Sequence, residues 1–165
     1  LLQAASELRL THPGFRLVIF GDGYLGNQLR AQASSLGLGD IAQFAGYRED
    51  LDHFIGCFDL FVHPSSAEGL GVAALKAAAA GLAVVGCNAG GMRESVVDGE
   101  TGLLVEPEDA DALRHAIARL MVDDELRASM GNAGRERMQN EFSIATMADR
   151  HVDLYESLLK EREQT

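Results

Sequence analysis

The sequence predicts an α/β protein in which a parallel sheet is covered by helices on both faces. Three observations carry this. Short apolar runs alternate with longer amphipathic stretches along nearly all of the 165 residues. The runs are continuous rather than alternating, as in Leu17-Val18-Ile19-Phe20, and strands of that kind are buried on both faces. Glycine-rich loops follow four of them, and the carboxyl ends of parallel strands are where such sheets hold ligands.

The elements follow in order. Leu1 to about Leu10 reads as the middle of a helix, without an initiator Met or an N-cap, so a fragment of a longer protein is expected. Phe15 to Phe20 is a strand and Gly21-Asp22-Gly23 a turn. Leu25, Leu29, Ala33 and Leu36 mark a helix that Gly37 and Gly39 end. Ile41 to Ala45 is a short strand. Asp50 is placed to cap a helix with Leu51, Phe54, Ile55 and Phe58 on its apolar face. Asp59 to His63 is a strand stopped by Pro64, and an Ala-rich helix runs from Val72 to Gly81. Ala83 to Cys87 and Gly102 to Val105 are strands. Pro107-Glu108-Asp109 opens a helix with Leu113, Ile117, Leu120 and Met121 on one face. Two helices close the chain, the last over about Ser143 to Lys160 with Ile144, Met147, Leu154, Tyr155 and Leu158.

Composition narrows the classes. Apolar residues make up 47% and charged residues 24%, as in an ordinary single globular domain with a sizeable core. A net charge of −11 argues against a nucleic-acid partner, which needs a basic face. Cys57 and Cys87 sit in apolar runs and read as buried free thiols of a reducing compartment. No apolar stretch approaches the ~20 residues of a membrane span, and no signal peptide is visible.

The most informative segment is Pro64-Ser65-Ser66-Ala67-Glu68-Gly69-Leu70-Gly71-Val72. A strand leads in and a helix leads out, so unpaired first-turn amides and the helix dipole face the loop and attract an anion. Glu68 beside that anion site suits a ligand with both phosphate and hydroxyls, such as a nucleotide sugar. Gly21-Asp22-Gly23-Tyr24-Leu25-Gly26 has dinucleotide spacing. A helix precedes its strand, however, and Ala45-Gly46-Tyr47 offers no acid for a ribose, so the turn is read as shaping the cleft floor. In Gly46-Tyr47-Arg48-Glu49-Asp50, Tyr47 and Arg48 either face a base or form a capped turn with Tyr47 on the helix. His63 is a ligand group, an acid or a hydrogen-bonded structural residue. Gly90-Gly91 lets a backbone approach a ligand closely or serves a tight turn. Arg93 either meets phosphate or is solvated, and Glu94 is expected to cap Gly91 and its neighbours. The other histidines (His12, His53, His115, His151) are scattered, so no metal is predicted. No serine-hydrolase elbow or P-loop is present.

Pro64-Ser65, Glu68-Gly69-Leu70-Gly71, Ala78 to Val85, Gly90 to Val96 and Asp98 to Val105, with Leu17 to Gly23 and Phe44 to Tyr47 upstream, resemble the C-terminal domain of glycosyltransferase family 4 over nearly the whole chain. The resemblance implies a Rossmann-like, three-layer α/β/α parallel sheet. It would be the C-terminal half of a GT-B, retaining enzyme, with residues 1–165 a single nucleotide-sugar-binding domain. The N-terminal acceptor domain and the start of this domain would lie outside it. It implies a donor site of Gly21, Gly23, Tyr47, Arg48, Ser65, Glu68, Gly69, Leu70, Gly71, Val72 and Lys76, with Glu68 orienting the transferred sugar. It implies no cofactor and no metal. The substrate would be a nucleotide diphosphate sugar, and the acceptor a glycan, lipid or small molecule held by the N-terminal domain. The location implied is cytoplasmic, with peripheral contact at the inner face of the membrane. The fragment alone should be inactive. Lys76 departs from the family pattern, which has a ribose-binding glutamate there; lysine has donors and no acceptor. That departure opens the alternative of a non-catalytic nucleotide-sugar-binding domain. An NAD-binding domain is the remaining alternative.

Overall fold

The computed structural model describes residues 1–163. The chain runs α1 (Leu2–Thr11), β1 (Leu17–Phe20), α2 (Gly26–Ser35), β2 (Ala42–Gly46), two short 3₁₀ turns (Leu51–His53 and Ile55–Cys57), β3 (Leu60–His63), α3 (Val72–Ala79), β4 (Ala83–Cys87), α4 (Met92–Ser95), β5 (Gly102–Val105), α5 (Ala110–Val122), α6 (Asp124–Glu141) and α7 (Ile144–Glu163). Every strand pairing is parallel, as a strand–helix alternation requires.

β4 shows why the domain has three layers. Its side chains alternate between faces. Ala83 and Val85 meet Ala4 and Leu8 of α1 and Leu113, Ile117 and Leu120 of α5. Val84 points the other way, to Ala74, Ala77 and Ala78 of α3, with Met92 and Met138. Val84 and Val85 are fully buried, and each contributes about 1.5–3 kcal/mol by leaving water. The Ala-rich face of α3 lets that helix lie close on the sheet. A third cluster joins Leu2 and Ala5 of α1 to Leu17 and Ile19 of β1, Ala33 and Leu38.

Hydrogen bonding divides the strands into a β1–β2 pair and a β3–β4–β5 sheet. β1 and β3 therefore each carry an edge with no strand partner among the described residues. This matches their burial: every residue of β1 and β3 is only half-buried, whereas all of β4 is buried.

Several expectations need correction. Asp50 caps no helix: its carboxylate is taken by Arg48, and residues 51–57 form two 3₁₀ turns separated at Phe54. Glu94 caps nothing; α4 starts at Gly91 without a side-chain cap. Cys57 is exposed, and only Cys87 is a buried free thiol. α7 forms as expected, yet Ile144, Met147, Leu154, Tyr155 and Leu158 stay exposed, because the described chain supplies no surface over them. By contrast Asp109 caps α5 through the Ala112 N–H at 2.7 Å, and Asp123 caps α6 through the Leu126 N–H at 2.9 Å.

Candidate ligand-binding site

β3 ends at His63, Pro64 stops it, and residues 64–71 turn the chain into α3. Gly71 makes that turn in the left-handed region (φ +70°), where a side chain is strained. The amides of Val72 and Ala73, at the first turn of α3, have no protein acceptor among the described residues. The carboxylate of Glu68 lies just before this helix start. His63 Nε2 sits 2.8 Å from its Oε2, and the Gly69 N–H donates to its Oε1 at 3.2 Å. These contacts hold the Glu68 carboxyl below its ordinary value. The His63 hydrogen bond is the largest cause, and the Gly69 and Gly71 amides add to it against the cost of desolvation.

The loop after β4 grips this one. The Gly91 N–H donates to Glu68 O at 3.1 Å, and the Ser95 hydroxyl donates to Leu70 O. A Cβ at Gly91 would stand 2.7 Å from the Gly69 carbonyl carbon. The paired glycines thus serve contact between two protein loops, a use the sequence alone does not distinguish from approach to a ligand. Arg93 is neither free nor merely solvated: its Nε donates to Asn88 Oδ1 at 2.6 Å, and Asn88 in turn donates to Glu106.

The remaining candidates divide into two groups. Ser65, Glu68, Gly69, Leu70, Gly71 and Val72 come together in the one loop and helix start. The Ser65 hydroxyl is turned inward to Ala67 O at 2.7 Å. Lys76, one turn further into α3, donates to Asp52 Oδ2 at 2.8 Å. Gly21 (φ +108°) links β1 to the end of β2, its N–H donating to Gly46 O at 2.8 Å. Gly23 accepts from the Gly26 N–H at 3.0 Å and opens α2. Tyr47 does not pack on a helix; it is 71% exposed. Arg48 holds Asp50 through two bonds of 2.8 and 2.6 Å and lies over the Phe54 ring. This pairing raises the Arg48 value and lowers that of Asp50, chiefly through their hydrogen bond.

A cleft of about 460 Å³ is lined by Leu1, Gln3, Ile19, Pro64, Ser66 and Cys87 together with the acids Glu106, Glu108 and Asp109; it adjoins the Glu68 loop through Pro64 and Ser66, and Glu68, Gly71 and Lys76 do not line it. That size suits a small organic ligand. Tyr47 and Arg48 do not line it. A wider hollow of about 540 Å³ beside Glu7, Glu106, Glu108, Asp109 and Asp111 is strongly acidic and repels an anion. Among the described residues no cluster of three or more His, Cys, Asp or Glu side chains could hold a metal. No described helix is long and apolar enough to cross a membrane. The residues sequence reasoning did not pair are His63 with Glu68 and Lys76 with Asp52; only the strand–loop geometry brings them together.

A parallel three-layer α/β/α domain with a ligand-sized cleft at its strand ends and open amides at a helix start defines a Rossmann-like binding domain. The chain belongs to the family of glycosyl transferases group 1, whose model matches residues 1–137. It is 33% identical over 157 residues to the lipopolysaccharide core biosynthesis glycosyltransferase LpsE of Rhizobium meliloti, covering 95% of this chain and 45% of LpsE. The crystal structure of HepE from Anabaena in complex with UDP superposes with a TM-score of 0.87 at 26% identity, over 95% of this chain and 44% of that one. The C-terminal domain of LpcC, a glycosyl transferase group 1 protein of Francisella tularensis, matches at 26% identity and a TM-score of 0.78, over 87% of this chain and 77% of that one. The chain spans less than half the length of the curated relatives it matches first, and its fold is that of one half of a GT-B glycosyltransferase.

Proposed function

We propose that this chain is the donor-binding domain of a retaining family 4 glycosyltransferase, which moves a sugar from a nucleotide diphosphate sugar to a glycan, lipid or small-molecule acceptor. The observation that carries the reading is the Glu68 carboxylate held beside the open amides of α3. Amides and dipole suit a diphosphate, and a carboxylate acceptor suits sugar hydroxyls. HepE, solved with UDP and with UDP-glucose, binds ligands of this class, which supports the reading.

In the proposed reaction the bond from the sugar to the diphosphate breaks with its electron pair and charge grows on the leaving phosphate, while the acceptor hydroxyl oxygen bonds to the same sugar carbon on the same face and its proton passes to that phosphate. The Val72 and Ala73 amides and the α3 dipole stabilise that charge, so the reading is metal-independent. Glu68 accepts from sugar hydroxyls and orients the sugar. Gly69, Leu70 and Gly71 shape the diphosphate path and Ser65 its entrance. Gly21 and Gly23 shape the turn after β1, while Tyr47 and Arg48 lie toward the base. The acceptor binds through an N-terminal domain, and residues 1–165 alone do not turn over. The unpaired Cys57 and Cys87 fit the cytoplasm, with peripheral contact at the inner face of the membrane bringing lipid acceptors within reach.

Lys76 favours a second reading, a nucleotide-sugar-binding domain without transfer, because a lysine committed to Asp52 offers no acceptor to a ribose. The test is calorimetry of the full-length protein with UDP, GDP and NAD, followed by turnover with a panel of nucleotide sugars. Nucleoside-diphosphate binding with turnover is expected. Binding without turnover supports the second reading, and tight NAD binding without either nucleotide overturns both.

A further inference from the structure

We infer that His63 is the positioning residue of Glu68: it fixes the angle at which the carboxylate meets ligand hydroxyls. The inference rests on the donor reading for its consequence, and on geometry for its substance. His63 is the last residue of β3 and Glu68 lies five residues on, across the loop. Their side chains meet at 2.8 Å and are only 19% and 29% exposed, so water competes poorly for the bond.

The rest of Glu68 is already held. Its main-chain oxygen is fixed by the Gly91 N–H at 3.1 Å, and its Oε1 by the Gly69 N–H. The Gly69 bond is the longer, at 3.2 Å, and the 2.8 Å contact with His63 fixes the second oxygen and with it the rotation of the carboxylate. The imidazole is itself braced. Phe61, two residues earlier and on the same face of β3, stacks on it with 15° between ring planes and 6.2 Å between centroids. Phe61 packs against the cluster of Ile55, Ala74 and Met92. Rigid core, aromatic ring, imidazole and carboxylate form one chain of support.

A merely structural histidine at a strand end would be expected to satisfy backbone groups. Among the described residues the His63 side chain has no hydrogen-bond partner except the Glu68 carboxylate. A carboxylate has about four acceptor positions. With His63 on Oε2, Gly69 on Oε1 and the Gly71 amide also donating to the carboxyl, the positions left over take donors alone. The ligand groups they select are hydroxyls, and an anionic substituent at that position is refused.

The test uses the full-length protein with UDP-glucose as donor probe and UDP as nucleotide probe. His63→Leu and His63→Asn remove a donor at the Nε2 position, and His63→Gln restores one. We expect His63→Leu and His63→Asn to lower kcat/KM for UDP-glucose turnover roughly 10- to 100-fold, the range for losing a hydrogen bond to a charged group. The UDP Kd should stay within about twofold, and His63→Gln should recover most of the rate. Unchanged turnover in His63→Leu, or equal losses in all three variants with a parallel fall in UDP affinity, overturns the inference. A second measurement stands apart from donor chemistry: the ¹³C titration of the Glu68 carboxyl in ligand-free protein. Its midpoint should rise in His63→Leu and His63→Asn and rise less in His63→Gln, which restores the hydrogen bond without the ring's charge. An unmoved midpoint overturns the inference even where turnover falls. A wild-type protein that binds neither UDP nor GDP overturns the donor reading instead, while the titration still judges His63.

Discussion

Replacing Gly91 with alanine tests how the two loops of the site hold each other. Gly91 has φ −72° and ψ 0°, a conformation alanine adopts freely, so any effect comes from collision rather than backbone strain. The added Cβ would lie well inside contact with the Gly69 carbonyl oxygen, 2.7 Å from its carbon and 3.0 Å from Leu70 Cα. All three are backbone atoms, and no side chain can swing aside. To regain ordinary contact the loops must part by more than about 1.5 Å. That movement stretches the bond from the Gly91 N–H to Glu68 O, now 3.1 Å, and the one from the Ser95 hydroxyl to Leu70 O. Overpacking costs roughly 1–3 kcal/mol and each of the two weakened bonds roughly 0.5–1.5 kcal/mol, about 2–6 kcal/mol together. At roughly 2–4 °C per kcal/mol for a chain of this size, Tm should fall by about 4–24 °C. Calorimetric unfolding of the 165-residue chain reads this, and UDP affinity of the full-length protein should fall with it. Gly14→Ala is the control, since a Cβ there meets nothing within 4 Å. If Gly91→Ala melts within about 2 °C of wild type and binds UDP as well, the loops do not depend on this contact and the reasoning fails.

Glu68→Ala should depress transfer more than UDP affinity; equal losses in kinetics and calorimetry count against a sugar-facing carboxylate. The Glu68 carboxyl lies below its ordinary value of 4.5 in the folded protein, so its stabilisation is complete above about pH 4.5 and drains as pH falls through the lower folded value. Urea unfolding between pH 6 and 3 should be less pH-dependent in Glu68→Gln, and an unchanged slope speaks against the pairing. Lys76→Ala should alter stability by less than about 1 kcal/mol, because the Lys76–Asp52 pair is half exposed (52% and 57%). Lys76→Glu alone sets two carboxylates face to face, so tighter donor binding is expected in Lys76→Glu with Asp52→Asn; no gain by calorimetry in that double variant assigns Lys76 a role of its own. Asp109→Ala and Asp123→Ala should each cost about 1 kcal/mol in denaturant unfolding through loss of an N-cap, and a neutral result at both would contradict the capping geometry.

The sequence carries the fold where local rules decide it. Ala83 to Cys87 reads as an unbroken apolar strand and is buried throughout. Asp109 reads as a helix start and caps α5. It misleads where two local choices compete. Asp50 has the right chemistry for a cap, but Arg48, two residues away, makes a stronger charge-assisted pair with it, and the helical pattern over Leu51 to Phe58 breaks into 3₁₀ turns. Cys57, in the second of those turns, is exposed for the same reason. The site was legible as a strand–loop–helix with an acid at its mouth. Its side-chain partnerships were not. Lys76 and Asp52 are 24 residues apart, Gly91 meets Gly69 across two strand ends, and no periodicity encodes either contact.

The division of the strands has a kinetic consequence. Val84, Val85 and Gly86 of β4 are paired on both sides, with β3 and β5, so their amides open only when the domain does. Those along the unmatched borders of β1 and β3 are free to trade protons with solvent through small, local excursions. Native-state hydrogen exchange should therefore show a slow stripe along the centre of β4, with faster exchange along the strand borders. The same borders are the surfaces on which one molecule can template another at high concentration, so the shelf life of the isolated chain in solution is set by its loosest strands and not by its well-packed centre.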